Sequence, residues 1–157
     1  MRLHRRFTIS ALLISNAATL AFAINTDNQR NPKEFDFSLA KHLQAIDTRD
    51  WKAFESTLTT NRQLVLITPN GNLTTSTSSF KEQMRAWFSD PDWTWTHELV
   101  NKHNDDHVGI AVIRVKYQDI DSSGHPISLN YLLTLVFKNE KQGWRLVHDQ
   151  NTLLKNN

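Results

Sequence analysis

Four runs in the second half of the chain alternate apolar with polar residues: 93–100, 108–117, 128–137 and 144–153. A repeat of two is the period of a strand with one face buried. The links between the runs are short. They hold Asn104-Asp105-Asp106, Ser122-Ser123-Gly124 and Asn139-Glu140, residue types that favour turns. Consecutive strands joined this closely pair antiparallel, so the second half is expected to be a meander.

The first half has a helical period instead. Asn31 can cap a helix, Pro32 suits its first position, and Glu34 can reach back to complete a capping box. Phe35, Leu39, Leu43 and Ile46 then recur at helical spacing. Asp50 can cap a second, short helix that turns Trp51, Phe54 and Leu58 inward. Residues 63–68 form a short strand-like run, and Pro69-Asn70-Gly71-Asn72 a turn. Ser79 and Glu82 suggest a second capping box, with Phe80, Met84, Trp87 and Phe88 on one face and Asp90-Pro91-Asp92 as the stop. Three helices and five strands in this order predict an α+β fold, with the helices covering one face of a curved antiparallel sheet.

The N-terminus reads as an export signal. Arg2, Arg5 and Arg6 are positive, and no charge occurs from Phe7 to Thr26. Ala21-Phe22-Ala23 places small residues where a signal peptidase needs them. Residues 1–23 are therefore expected to be removed, leaving Ile24 first, a loose lead-in over 24–31 and a domain over 32–154. Ser10, Ser15, Asn16 and Thr19 dilute the apolar run, which argues against a spanning helix. No stable membrane insertion is expected, and the destination is the periplasm or the exterior. The chain has no cysteine, which excludes disulfides, thiolate catalysis and a lipid-bearing cysteine.

Charge excludes one partner class. Lys and Arg number 18 against 16 Asp and Glu, but three of the positives lie in the first six residues. Without them the balance is slightly negative. A nucleic-acid binder would carry its positive charge on the folded body, so none is expected as a partner.

Three stretches carry a resemblance. They are Ala45-Ile46-Asp47-Thr48-Arg49-Asp50-Trp51, Ile67-Thr68-Pro69-Asn70-Gly71, and Gly143-Trp144-Arg145-Leu146-Val147-His148-Asp149-Gln150-Asn151-Thr152. With the order of elements, they make 32–154 resemble the nuclear transport factor 2-like superfamily, which includes the SnoaL-like and ketosteroid isomerase-like proteins. The resemblance implies a cone-shaped sheet enclosing a pocket, and a homodimer as the usual state. It spans isomerases, cyclases, dehydratases, epoxide hydrolases, transport adaptors and hub domains, so activity must be argued from the site.

Strict alternation puts Trp144, Leu146, His148, Gln150 and Thr152 on one face of the last strand, and Trp93, Trp95, His97 and Leu99 on one face of the first. The resemblance implies that the positions of His148 and Gln150 line the pocket. His148 is the candidate acid/base, because an imidazole can move a proton near neutral pH. Trp95, His97, Asn130, Thr134 and Gln150 are the candidate ligand contacts. On the middle strands two facings stay open: Val112 and Arg114 or Ile113, Val115 and Tyr117; Asn130, Leu132 and Thr134 or Tyr131, Leu133 and Leu135.

In ketosteroid isomerases a carboxylate base stands just before the Pro-x-Gly turn. Thr68 stands there in this chain, and threonine cannot abstract a proton from carbon. Steroid isomerisation is therefore disfavoured. His103-Asn104-Asp105-Asp106-His107 could hold a divalent ion by residue type, but it falls where a hairpin turn is needed. Neither a metal nor a cofactor is expected. The expected function is binding of a small, largely apolar molecule in the pocket. The rivals are a dehydratase-like enzyme using His148 and a homodimeric interaction module.

Overall fold

The structure is a computed structural model and describes residues 34–155. The signal over 1–23, the lead-in and the Asn31–Pro32 cap lie outside the described residues. Three helices come first, α1 (Phe35–Asp47), α2 (Trp51–Glu55) and α3 (Thr77–Ser89). Six strands make one sheet: β1 (Gln63–Ile67), β2 (Leu73–Ser76), β3 (Thr94–Asn104), β4 (Val108–Ile120), β5 (Pro126–Glu140) and β6 (Gly143–Leu153). Their order across the sheet is β2-β1-β6-β5-β4-β3.

The α+β architecture and the β3–β6 meander follow the expectation. Three details differ. Helix α1 is capped at Glu34, whose side chain makes no capping bond. Helix α3 starts earlier than its suggested box: Ser76, not Ser79, is the cap, and its hydroxyl accepts from Ser79 N. Strand β2 was absent from the sequence reading, since Leu73–Ser76 has no buried residue to mark it. Its addition makes β1 pair antiparallel with β2 and parallel with β6, so the sheet is mixed at one end.

The core lies between the helices and one face of the sheet. Phe35, Leu39 and Ile46 of α1, Phe54 of α2 and Phe80 of α3 meet Leu64, Leu66, Ile113, Val115, Leu135, Phe137, Trp144 and Leu146. The facing left open on the middle strands is thereby decided: Ile113 and Val115, with Leu133 and Leu135, point under the helices. Arg49, in a left-handed conformation (φ 52°), spans the gap between α1 and α2. Its guanidinium lies 4.1 Å over the Trp93 ring and donates to the carbonyls of Asp90, Pro91 and Trp93. That contact ties the end of α3 to the start of β3. Among the described residues, no helix is long and apolar enough to cross a membrane.

Two bulges bend the long strands. In β3, Leu99 pairs with Ile113 and Asn101 with Val112, so Val100 is extra. In β6, Leu146 pairs with Phe137 and His148 with Val136, so Val147 is extra. A bulge adds one residue to one strand and exchanges the faces of all that follow.

Candidate functional site

The β6 bulge decides which side chains reach the interior. Before it, Trp144 and Leu146 are buried, as alternation requires. After it, Asp149 and Asn151 point inward, while His148 and Gln150 point to the face that carries no helix. His148 and Gln150 therefore do not line the cavity, contrary to the expectation. Their side chains meet each other there, His148 Nε2 lying 3.4 Å from Gln150 Oε1. Thr134, paired with Gln150, shares that outer face, and so does Asn130, four residues earlier on β5. Trp95 lines the cavity. His97 is on the same side but outside the lining, its ring 4.8 Å from that of Trp95 and its Nδ1 3.4 Å from Asp47 Oδ1.

The cavity has a volume of about 250 Å³. The helices supply Ile46, Phe54, Met84 and Trp87; β1 and its turn supply Leu66, Thr68 and Pro69. From the meander come Trp95, Tyr117, Leu129, Tyr131, Leu133, Asp149 and Asn151. Most of this wall is apolar or aromatic, with few polar groups, the usual make-up of a small-molecule pocket. Three of the polar groups are engaged elsewhere. The Thr68 hydroxyl donates to Asn70 Oδ1 in the turn. Tyr117 receives a bond from Trp87 Nε1 at 3.2 Å and donates its own proton to Asp119. Asn151 Nδ2 bridges the carbonyl of Ile67 (2.9 Å) and Asp149 Oδ1 (2.8 Å).

Asp149 is the unusual group. It is 8% exposed, and burial lifts its carboxyl to about 7, with the Asn151 hydrogen bond pulling the other way. The cause is desolvation: a carboxylate away from water loses more than its neutral form. Tyr131, also on the cavity wall, has its hydroxyl held above the ordinary range by burial and by the charge of Asp149. A carboxyl that exchanges its proton near neutrality, set in an apolar cavity, can act as acid or base.

Sequence reasoning missed Asp149, Asn151, Tyr117 and Tyr131. The two tyrosines were within reach, as members of the uniformly apolar or aromatic sets on the middle strands. Asp149 was not, because the bulge before it leaves no mark in the alternation.

The segment from His103 to His107 is the end of β3, at His103 and Asn104, followed by the turn over 105–107. Asp105 Oδ1 accepts from His107 N and Val108 N at 2.7 and 2.8 Å, and these bonds hold its carboxyl below the usual range. Its side chain is spent on the hairpin.

Comparison with known proteins agrees with this architecture. The family model for the SnoaL-like domain matches residues 38–152. The chain belongs to the SnoaL-like domain family. A ketosteroid isomerase-like protein from Erwinia carotovora atroseptica superimposes with a TM-score of 0.62 at 13% identity, covering 77% of this chain and 94% of that one. A nuclear transport factor 2-like superfamily protein from Salmonella enterica gives 0.61 at 16%, covering 76% and 87%. A CaMKII hub from S. rosetta gives 0.56 at 19%, covering 74% and 92%. At these identities the likeness concerns the fold alone. Among curated proteins none matches the SnoaL-like chain in sequence.

Proposed function

We propose that this SnoaL-like domain binds a small, largely apolar molecule in the cavity between helices and sheet, with Asp149 meeting its polar end. The observation that carries the reading is the buried Asp149 carboxyl on a wall built mostly of apolar and aromatic groups, where burial lifts it to about 7. The same carboxyl supports the enzymatic rival better than His148 does, since it faces the cavity and His148 does not. Proton transfer of the dehydratase or isomerase kind would then run through Asp149, with Tyr131 as hydrogen-bonding partner.

The test is native mass spectrometry of the protein purified from its host. A bound small molecule is expected, and its loss in Leu129→Trp, which fills the cavity. Recovery of the wild-type chain without added mass, at equal yield to Leu129→Trp, would contradict the proposal.

We further propose that two copies associate through the outer sheet face. Ile110, Val136 and Val65 flank His148 in one cross-strand row; Val112 and Ile67 flank Thr134 and Gln150 in the next. These apolar residues sit mid-sheet with no helix above them, and Glu98 paired with Arg114 (3.1 Å) stands beside them. An apolar patch with a polar border, facing its own copy across a two-fold axis, is self-complementary. Export to the periplasm or exterior is proposed from the N-terminal sequence alone. N-terminal sequencing of the protein from its host is expected to begin at Ile24.

A further inference from the structure

We infer that the cavity takes a small organic cation: an ammonium on a compact apolar body, its nitrogen set between the Asp149 carboxylate and the surrounding aromatic faces. The inference rests on the cavity being a binding site and names the chemistry of what it holds.

Charge is the first argument. Asp149 is the one residue on the cavity wall that can carry a full charge at neutral pH, and no Lys, Arg or His stands with it. Two further acids lie behind the aromatic rings. Asp119 accepts the Tyr117 hydroxyl, and Asp47 accepts the Trp95 indole N–H at 3.0 Å. An anionic ligand would meet repulsion and no countercharge on the cavity wall.

Hydrogen bonding is the second. Among the described residues, Asn151 is the one donor to Asp149, and it reaches Oδ1. Oδ2 is left without a protein donor, and the Tyr131 hydroxyl has no protein partner either. Neither atom is sealed in the core: both keep accessible surface on residues of the cavity wall, so a molecule in the cavity can pair with them. An ammonium supplies N–H donors to both oxygens and cancels the carboxylate charge. A neutral alcohol would supply one donor and leave the charge buried.

The aromatic wall is the third. Trp87, Trp95, Tyr117 and Tyr131 present rings from α3, β3, β4 and β5. Ring faces are negative and attract a cation, most strongly when it is desolvated.

The inference carries a pH signature. The titratable groups facing Asp149 are Tyr131 from β5 and Tyr117 from β4; the helices present Ile46, Phe54, Met84 and Trp87, and β1 presents Leu66. Both tyrosines are held above their ordinary range, so among the residues of the cavity wall Asp149 is the one that changes charge near neutrality; His97 lies outside the wall, beside Trp95 and Asp47. A cation binds its ionised form, so affinity rises with pH; a neutral ligand accepting a proton from the acid form loses affinity.

The experiment is isothermal titration of protein purified from the full chain with benzylamine, benzyl alcohol and benzoate at pH 6, 7 and 8. Benzylamine is expected to bind about tenfold more tightly than benzyl alcohol at pH 8, the gap narrowing at pH 6. Benzoate is expected not to saturate. Asp149→Asn is expected to weaken benzylamine about tenfold and to leave benzyl alcohol nearly unchanged. Benzyl alcohol binding as well as benzylamine at pH 8 would overturn the cation assignment while leaving the cavity reading intact. Binding of none of the three would overturn both. Should Asp149→Asn lose its fold by circular dichroism, the wild-type pH dependence still decides: a gap that does not change from pH 6 to 8 overturns the inference.

Discussion

Two buried titratable side chains pull the stability of this molecule in opposite directions as pH changes. His42 is fully buried between the rings of Phe54 and Phe137. The Thr57 hydroxyl donates to the carbonyl of Phe54 at 2.6 Å, so it can only accept from His42 Nδ1, 2.7 Å away. That fixes the proton on Nδ1 and leaves Nε2 bare, without a partner among the described residues. Burial lowers the imidazole from 6.5 to about 3. Its folded value is depressed, so the stability it permits is present above 6.5 and is lost as pH falls toward 3. Asp149 has a raised folded value, so its contribution is fully present below 3.8 and is lost as pH rises through 7. Between pH 4 and 6.5 the two slopes oppose. The Asp149→Asn variant lacks one of them. Its unfolding free energy, relative to wild type, is expected to rise by about 1.4 kcal/mol per pH unit between 4 and 7. Urea unfolding of both proteins across that range measures it; parallel profiles would contradict the assignment. Asp149 also shows where the sequence stopped being legible. Its neighbour His148 is the more conspicuous acid/base by residue type, and one extra residue upstream exchanged their roles.

At the level of elements, the sequence announced most of what formed because the signals were local. Asp50 caps α2, its Oδ1 accepting from Ala53 N at 2.9 Å, and Asp90 ends α3 as the Asp-Pro-Asp run suggested. Ser76 was passed over for Ser79 because the box pattern at Ser79 and Glu82 reads the same on paper; the turn of chain leaving β2 decides between them. Replacing Ser76 by Ala is expected to cost about 1 kcal/mol, and Ser79 by Ala much less. Thermal unfolding of the two variants checks this, and equal losses would contradict it. The bulges at Val100 and Val147 were illegible for a different reason. They show only in the pairing with β4 and β5, and no residue type marks them. The β3 bulge turns Lys102 inward, where it pairs with Asp36 of α1. At the same hairpin end of that strand pair, a Cβ on Gly109 would sit 2.5 Å from the Phe35 ring, which packs on Phe137 and Trp144. Gly109→Ala is therefore expected to destabilise by about 1–3 kcal/mol. Urea unfolding reads it, and an unchanged midpoint would show that the ring gives way freely.

Over the whole molecule, the sheet separates two surfaces that sequence alternation confused in part. The inner face holds the cavity and the core. The outer face holds His148, Gln150, Thr134 and Asn130, which had been assigned to the cavity, among apolar neighbours. If that face joins two copies, Val112→Arg places a charge at its centre and is expected to give monomers, while ligand binding in the cavity persists. Light scattering after gel filtration distinguishes the outcomes. A wild-type monomer would contradict the dimer, and an unchanged dimer in the variant would remove this face from it.

Both the acid/base and the ligand-binding readings require Asp149 to exchange its proton near neutrality inside the cavity. Carbon-13 NMR of the aspartate carboxyls, followed from pH 3 to 9 and assigned by Asp149→Asn, measures that directly. One resonance with a midpoint near 7, absent from the variant, is the predicted result. A midpoint for Asp149 near the ordinary 3.8 would mean that water reaches the carboxyl freely, and would contradict both the acid/base and the ligand-binding readings.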